Sequence, residues 1–220
     1  DLHSFPTRRS SDLAIMKIPA YIFASCGSLE TIEIPDSVTR IGNNAFYGCS
    51  KLTGIELPPE VETVGSDAFY GTAITGITIP KSMCSYTQDS SPFRGTELRE
   101  AVIEDGAEMI PQNLFRGCNS LEEVAIPDSV LQIGFDALNS CTSLEEIELP
   151  IRVTTINSNA FMNCASLKRI GLPESLRDIG SSAFSGCTSL SDVVLPSSLS
   201  LIQDYAFKDC VSLKKINLPA

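Results

Sequence analysis

From Leu29 onward, apolar residues return to the same places about every 23 residues. Leucines lead the units at Leu29, Leu52, Leu98, Leu121, Leu144, Leu167, Leu190 and Leu213, with Ile74 filling the one gap. In the unit that starts at Leu121, the next apolar positions are Val124 and Ile126, and Pro127 follows at once. The alternation predicts a half-buried strand. Proline removes a backbone donor and fixes φ, so the strand is expected to stop there. Val130 and Ile133 supply further inward contacts, and Gly134 reads as a turn with φ > 0. Ala137 and Leu138 (Phe in most units) predict a short helical turn, and Cys141 and Ser143 lead back to the next strand.

A fixed period of this length is the mark of a solenoid, in which each unit buries its apolar face only against its neighbours. The predicted fold class is an α/β solenoid. Stacked in register, nine strands from Leu29 to Leu218 would form one parallel sheet about 40 Å long, at the usual strand spacing. The column Phe46, Phe69, Phe93, Phe115, Phe161, Phe184 and Phe207 is the predicted core.

The recurring D-S-V-x-x-I-G-x-x-A-F-x-x-C-x-S-L-x-x-I-x-I-P, cleanest in Leu29–Pro58, Leu121–Pro150 and Leu167–Pro196, resembles the BspA-like leucine-rich repeats of bacterial and protozoan surface proteins. The resemblance runs through nearly everything from Ile15 on. It implies a leucine-rich repeat horseshoe, with a parallel β-sheet on the concave face and short helical or 3-10 turns on the convex side. It further implies a large secreted or surface-attached protein whose relatives adhere to host proteins and other cells. Repeat type is a weak guide to ligand, so that step is analogy.

Several stretches depart from the pattern. Residues 1–13 (DLHSFPTRRSSDL) read in one frame as a translated sequencing-library adapter, so they are expected to be non-native and to add nothing to the core. The leucine-rich repeat domain is then 14–220, expected to be cut from a longer frame at both ends. The first unit passes from Pro19 straight to Tyr21-Ile22-Phe23 and looks seven residues short, either naturally or, as preferred, through damage. Thr72 and Thr96 replace the cysteine and each coincide with a one-residue deletion, which predicts an alternative corner geometry. Lys81–Pro92 lacks the I-G corner and reads as a bulging polar loop or, more sharply, a contact loop. Glu104 in place of the strand-ending proline reads as drift.

Composition narrows the chemistry. A net charge of −11 argues against nucleic acid as partner. No apolar run approaches the roughly 18 residues that span a bilayer, so direct membrane insertion is not expected. His3, the one histidine, lies in the adapter-like segment, which leaves no Ser/His or Cys/His dyad. No phosphate-binding or dinucleotide motif occurs. No enzyme, cofactor or metal is expected.

Seven of the eight cysteines, Cys26, Cys49, Cys118, Cys141, Cys164, Cys187 and Cys210, form a ladder with parallel rather than converging Cβ vectors. That is poor disulfide geometry, and buried free thiols pack as small hydrophobes. Cys84 stands outside the ladder and is expected to be the most reactive.

The positions one, two and four after each leading leucine should face outward. There Glu122, Glu123, Glu145, Glu146 and Glu148 form an acidic patch beside Lys168 and Arg169, with Arg99 one unit earlier. The patch is either a solvated face whose charges pair between strands, or a docking surface for a basic segment of a partner. Together these readings predict a non-catalytic protein-binding or adhesion segment of an extracellular or cell-surface protein. Its partner would be a protein ligand from a host or another cell. A structural spacer and an intracellular scaffold attached to a further domain are the alternatives.

Overall fold

The computed structural model describes residues 15–85 and 90–218; the adapter-like segment lies outside the described residues. Every strand pairing in the described residues is parallel, and partners stand 23 residues apart where units are regular, as Ile133↔Ile156 and Ile147↔Ile170 do. This is the solenoid the period predicts. Its core is one continuous column of buried residues from Ile18 to Cys210.

The sheet differs from expectation. In place of one nine-stranded sheet, the coil carries two faces of short ladders. The front face, built from the L-x-x-I-x-I-P segment, has strands Gly76–Ile79, Glu100–Ile103 and Glu123–Ala125 in one piece and Glu146–Glu148 with Arg169–Gly171 in another. Single bridges extend the second piece through Asp192 to Lys215. A lateral face, at the I-G corner, has three strands (Lys17–Ile18, Arg40–Ile41, Thr63–Val64) and then five, from Met109–Ile110 to Leu201–Ile202. The β-branched residue before the corner points inward, and its neighbour exchanges backbone bonds with the adjacent coil.

The lateral ladder corrects the reading of the first unit. Lys17 pairs with Arg40 and Ile18 with Ile41, so Ile18-Pro19 is the I-G corner and not the end of a front strand. Phe23 and Cys26 then sit one full period before Phe46 and Cys49, in register, and this stretch is neither shortened nor damaged.

The A-F corner is not helical. Each corner holds a left-handed residue two places after the Phe position, such as Gly48 (φ 70°), Ser140 (63°) and Asn163 (60°). Most hold a second one two places before it, such as Asn44 (55°) and Asp136 (53°). Glycine, Asn and Asp tolerate this region best, and the alternation breaks any helix. It turns alternate N–H groups along the coil axis: Phe46 N donates to Ala68 O at 2.8 Å, Phe115 N to Ala137 O at 2.9 Å and Phe161 N to Ala183 O at 2.8 Å. The one helical element among the described residues is the 3-10 turn Lys81–Ser85.

Three further expectations change. Gly134 does not have positive φ; a Cβ there would lie 2.5 Å from Ile110 O and 2.7 Å from Gln112 N, so close approach of the preceding coil requires the glycine. The start of the irregular loop does not bulge, because Met83 and Cys84 are buried and Ser82 Oγ donates to Pro59 O at 2.8 Å; residues 86–89 lie outside the described residues. Glu104 is more than drift: its Oε2 accepts the Lys81 N–H at 2.9 Å. The threonine corners do form one alternative geometry. Thr72 and Thr96 hydroxyls donate within their own turn, to Phe69 O at 2.8 Å and Phe93 O at 2.7 Å.

Candidate binding face

Burial on the front face follows the sequence pattern. Leu121, Val124, Leu144, Ile147, Leu167 and Ile170 are buried, while Glu122, Glu123, Glu145, Glu146, Lys168 and Arg169 are exposed. Each front strand therefore fixes its leucine and isoleucine in the core and holds the intervening side chains out at coil spacing.

The predicted site residues are brought together mainly in pairs. Arg99 Nη1 meets Glu122 Oε1 at 2.9 Å, Lys168 Nζ meets Glu145 Oε2 at 2.7 Å, and Arg169 contacts Glu146. The hydrogen bond and charge of Glu146 push the Arg169 pKa up, with smaller help from Glu148 and Asp192. Glu148 also overhangs Gly171, where an added Cβ would clash with its carboxylate. Glu123 stands in register with Glu100, two like charges on adjacent strands. Much of the acidic patch thus meets its own cations across one coil. Such exposed pairs contribute little stability, on the order of 0–1 kcal/mol each.

Sequence reasoning places the earlier half of the same face outward, with Thr53-Gly54, Thr75-Gly76, Glu33 and Glu56, but names no site there. Two hollows, of about 580 and 540 Å³, meet over Ile55, Glu56 and Gly76. Glycines occupy the second outward position in two successive units, Gly54 and Gly76, and this column was readable in the sequence. The front ladder is also absent here. Among the described residues, no backbone hydrogen bond joins 30–34 to 53–57 or 53–57 to 76–79. Glu33, Glu56 and Glu100 border the hollows and form no ion pair among the described residues.

The cysteines take a different pattern from the one expected. Cys84 is 3 % exposed, and burial, reinforced by the charge of Glu104, pushes its thiol up to about 12. Cys26 is the exposed one. Burial raises the thiols of Cys118, Cys141, Cys164 and Cys187, and that of Cys210 to about 11. A nucleophilic thiol needs the opposite shift. Among the described residues, no cluster of three or more His, Cys, Asp or Glu is placed to hold a metal, and no helix is long and apolar enough to cross a membrane.

Comparison with known proteins agrees with this geometry. The family model described as a BspA type leucine-rich repeat region matches residues 16–130 and 108–220. A crystal structure of a leucine-rich repeat protein from Bacteroides ovatus is similar at 32% identity and a TM-score of 0.68, over 92% of this chain and 57% of that one. The pneumococcal vaccine antigen PcpA is similar at 25% identity and a TM-score of 0.52, over 85% of this chain and 50% of that one. The chain thus spans little more than half the length of these structural relatives. No curated protein matches it.

Proposed function

Because this chain belongs to the BspA-type leucine-rich repeat family, we propose that its front sheet, the concave side of the coil, is a protein-recognition or adhesion surface of a secreted or cell-surface protein. The mechanism is display. The lateral ladder, the A-F corners and the stacked phenylalanines hold the coil, leaving the outward front columns free to vary without touching the core. The observation that carries this reading is the strict division of the front strands into buried and exposed positions, as in both Glu123–Ala125 and Glu146–Glu148, where a buried central residue is flanked by two exposed ones. Extended surfaces of this kind are how solenoids bind. A surface setting is supported by the description of the pneumococcal relative as a vaccine antigen, a role that antibody access favours.

The test is capture of labelled host or bacterial surface proteins by the immobilised chain. A charge-swapped front variant, R99E/E122R/E145K/K168E, keeps the cross-coil pairs and so the fold. Loss of capture with an unchanged melting temperature supports the reading. Capture that survives the swap, but is lost when Tyr47 and Tyr70 on the outer corner are replaced, overturns it.

A further inference from the structure

We propose that the open trough over 31–34, 53–59, 76–80 and 100–104 on the front face takes an extended, lysine- or arginine-bearing segment of a partner protein. This rests on the display reading above and names the chemistry of its ligand.

The first argument is the floor. At the I-G corners the glycines have steric reasons: a Cβ at Gly42 would lie 2.4 Å from Ala20 N, and one at Gly65 2.4 Å from Asn43 N. Gly54 and Gly76 have none. A Cβ at Gly54 meets nothing within 4 Å, one at Gly76 comes no nearer than 4.0 Å to Glu100 O, and neither residue has positive φ. What two bare positions in adjacent coils do provide is room for another chain to approach the backbone closely.

The second argument is the unused polarity around that floor. The front ladder begins only at Gly76–Ile79, so the backbone groups of 30–34 and 53–57 are not spent on a neighbouring coil. Thr31, Thr53 and Thr78 line the same surface. An extended segment offers the N–H and C=O groups that these lack, which is the usual currency of strand-like peptide recognition.

The third argument is charge. In the later half of the face Glu145 and Glu146 meet Lys168 and Arg169, so an incoming cation must displace a resident one. At the trough, Glu33, Glu56 and Glu100 have no such resident among the described residues, and Arg99 is held by Glu122. Leu57 and Val102, the latter 47% exposed, give the aliphatic stems of Lys or Arg an apolar wall. A polyamine would satisfy the charge but not the backbone and threonine groups, so a peptide is the better fit.

The experiment is fluorescence anisotropy of the full chain with a labelled, end-capped octapeptide of alternating Lys and Thr, with its Glu-for-Lys counterpart and spermidine as comparators. Binding of the Lys peptide only is expected, weakening by about tenfold or more from low to moderate salt as exposed charges are screened. Gly76→Leu or Gly54→Leu should weaken it by at least about tenfold at unchanged melting temperature, and so should the double variant E56Q/E100Q. Glu145→Gln should leave it within about twofold. No binding of the Lys peptide, binding indifferent to both glycine substitutions, or spermidine bound as tightly as the peptide overturns the trough assignment. Should that happen while the front-face charge swap still abolishes surface-protein capture, the trough alone fails. Capture indifferent to the swap and to both glycine substitutions, but lost when Tyr47 and Tyr70 are replaced, sinks the display reading itself.

Discussion

The thiol of Cys141 donates to the carbonyl oxygen of Phe115, one coil back, at 3.2 Å. The same bond recurs from Cys49 to Phe23, Cys118 to Phe93, Cys164 to Leu138, Cys187 to Phe161 and Cys210 to Phe184, at 3.1 to 3.3 Å. The cysteine column is therefore an axial hydrogen-bond column, placed where the chain leaves the phenylalanine corner. A buried carbonyl there gains a partner that is small and apolar enough to pack. The threonines at 72 and 96 satisfy their own turn instead, and the link to the next strand is one residue shorter at each.

These thiols make stability fall in alkali. Burial raises the folded-state value of Cys141 above the ordinary thiol value of 9.0. A group whose folded value is raised contributes fully below the unfolded value and loses that contribution as pH rises through the folded one. The melting-temperature advantage of the native chain over Cys141→Ala should be constant from pH 6 to 8 and shrink steadily above about pH 9. An advantage that grows with pH in that range contradicts the assignment.

Thiol labelling should separate Cys26 from all the others. In native buffer at pH 8, a disulfide-exchange reagent should modify Cys26 rapidly, because it is exposed. Cys84 and the buried ladder should react only at the rate of unfolding. Peptide mapping of the first labelled site reads the answer directly. Cys84 labelled alongside Cys26 would show that the turn Lys81–Ser85 opens in the native state.

The phenylalanine column sets the cost of breaking the stack. Phe161 is fully buried, and its ring centroid lies 5.4 Å from that of Phe184, the two rings stacked and nearly parallel at 7°. Phe161→Ala should cost about 3–5 kcal/mol in denaturant unfolding. Because coils contact only their neighbours, the loss should appear first as faster exchange in the adjacent coils. A cost below about 1 kcal/mol contradicts this packing.

Glycines at two columns should respond in opposite ways. Gly134→Ala drives a methyl into the backbone of the preceding coil and should cost about 1–3 kcal/mol. Gly76→Ala meets open space and should be neutral, or stabilising by up to about 1 kcal/mol through the unfolded chain. Thermal melts of the two variants decide the matter.

Much of this was legible in the chain, and the misses have common causes. The leucine, isoleucine and phenylalanine columns read correctly because a fixed period leaves each apolar position one place to go. Ile18-Pro19 was misread because I-P at the corner and I-P at a strand end are the same dipeptide; only the spacing from Ile18 to Ile41 separates them. The left-handed corners were signalled by Asn44, Asp67, Asn113 and Asp136 before the Phe position and by Gly48, Gly71 and Gly117 after it, but A-F read as helix former and core masked that signal. Gly134 was assigned to dihedral freedom when the cause is steric, a contact between coils that no single unit contains. At the binding face, charge drew attention to Glu122 and Glu145, whose partners lie one period away. The uncharged columns at Gly54 and Gly76 held the opening.

The central claim, that partners dock on the front of the coil, is tested most directly by amide hydrogen exchange on the chain alone and with a captured surface protein bound. Slowed exchange concentrated in 30–34, 53–57, 76–79 and 99–104, with the A-F corners unchanged, is the result expected. Protection confined to the outer corner around Tyr47, Tyr70 and Arg94, with the front segments exchanging as in the free chain, would contradict it.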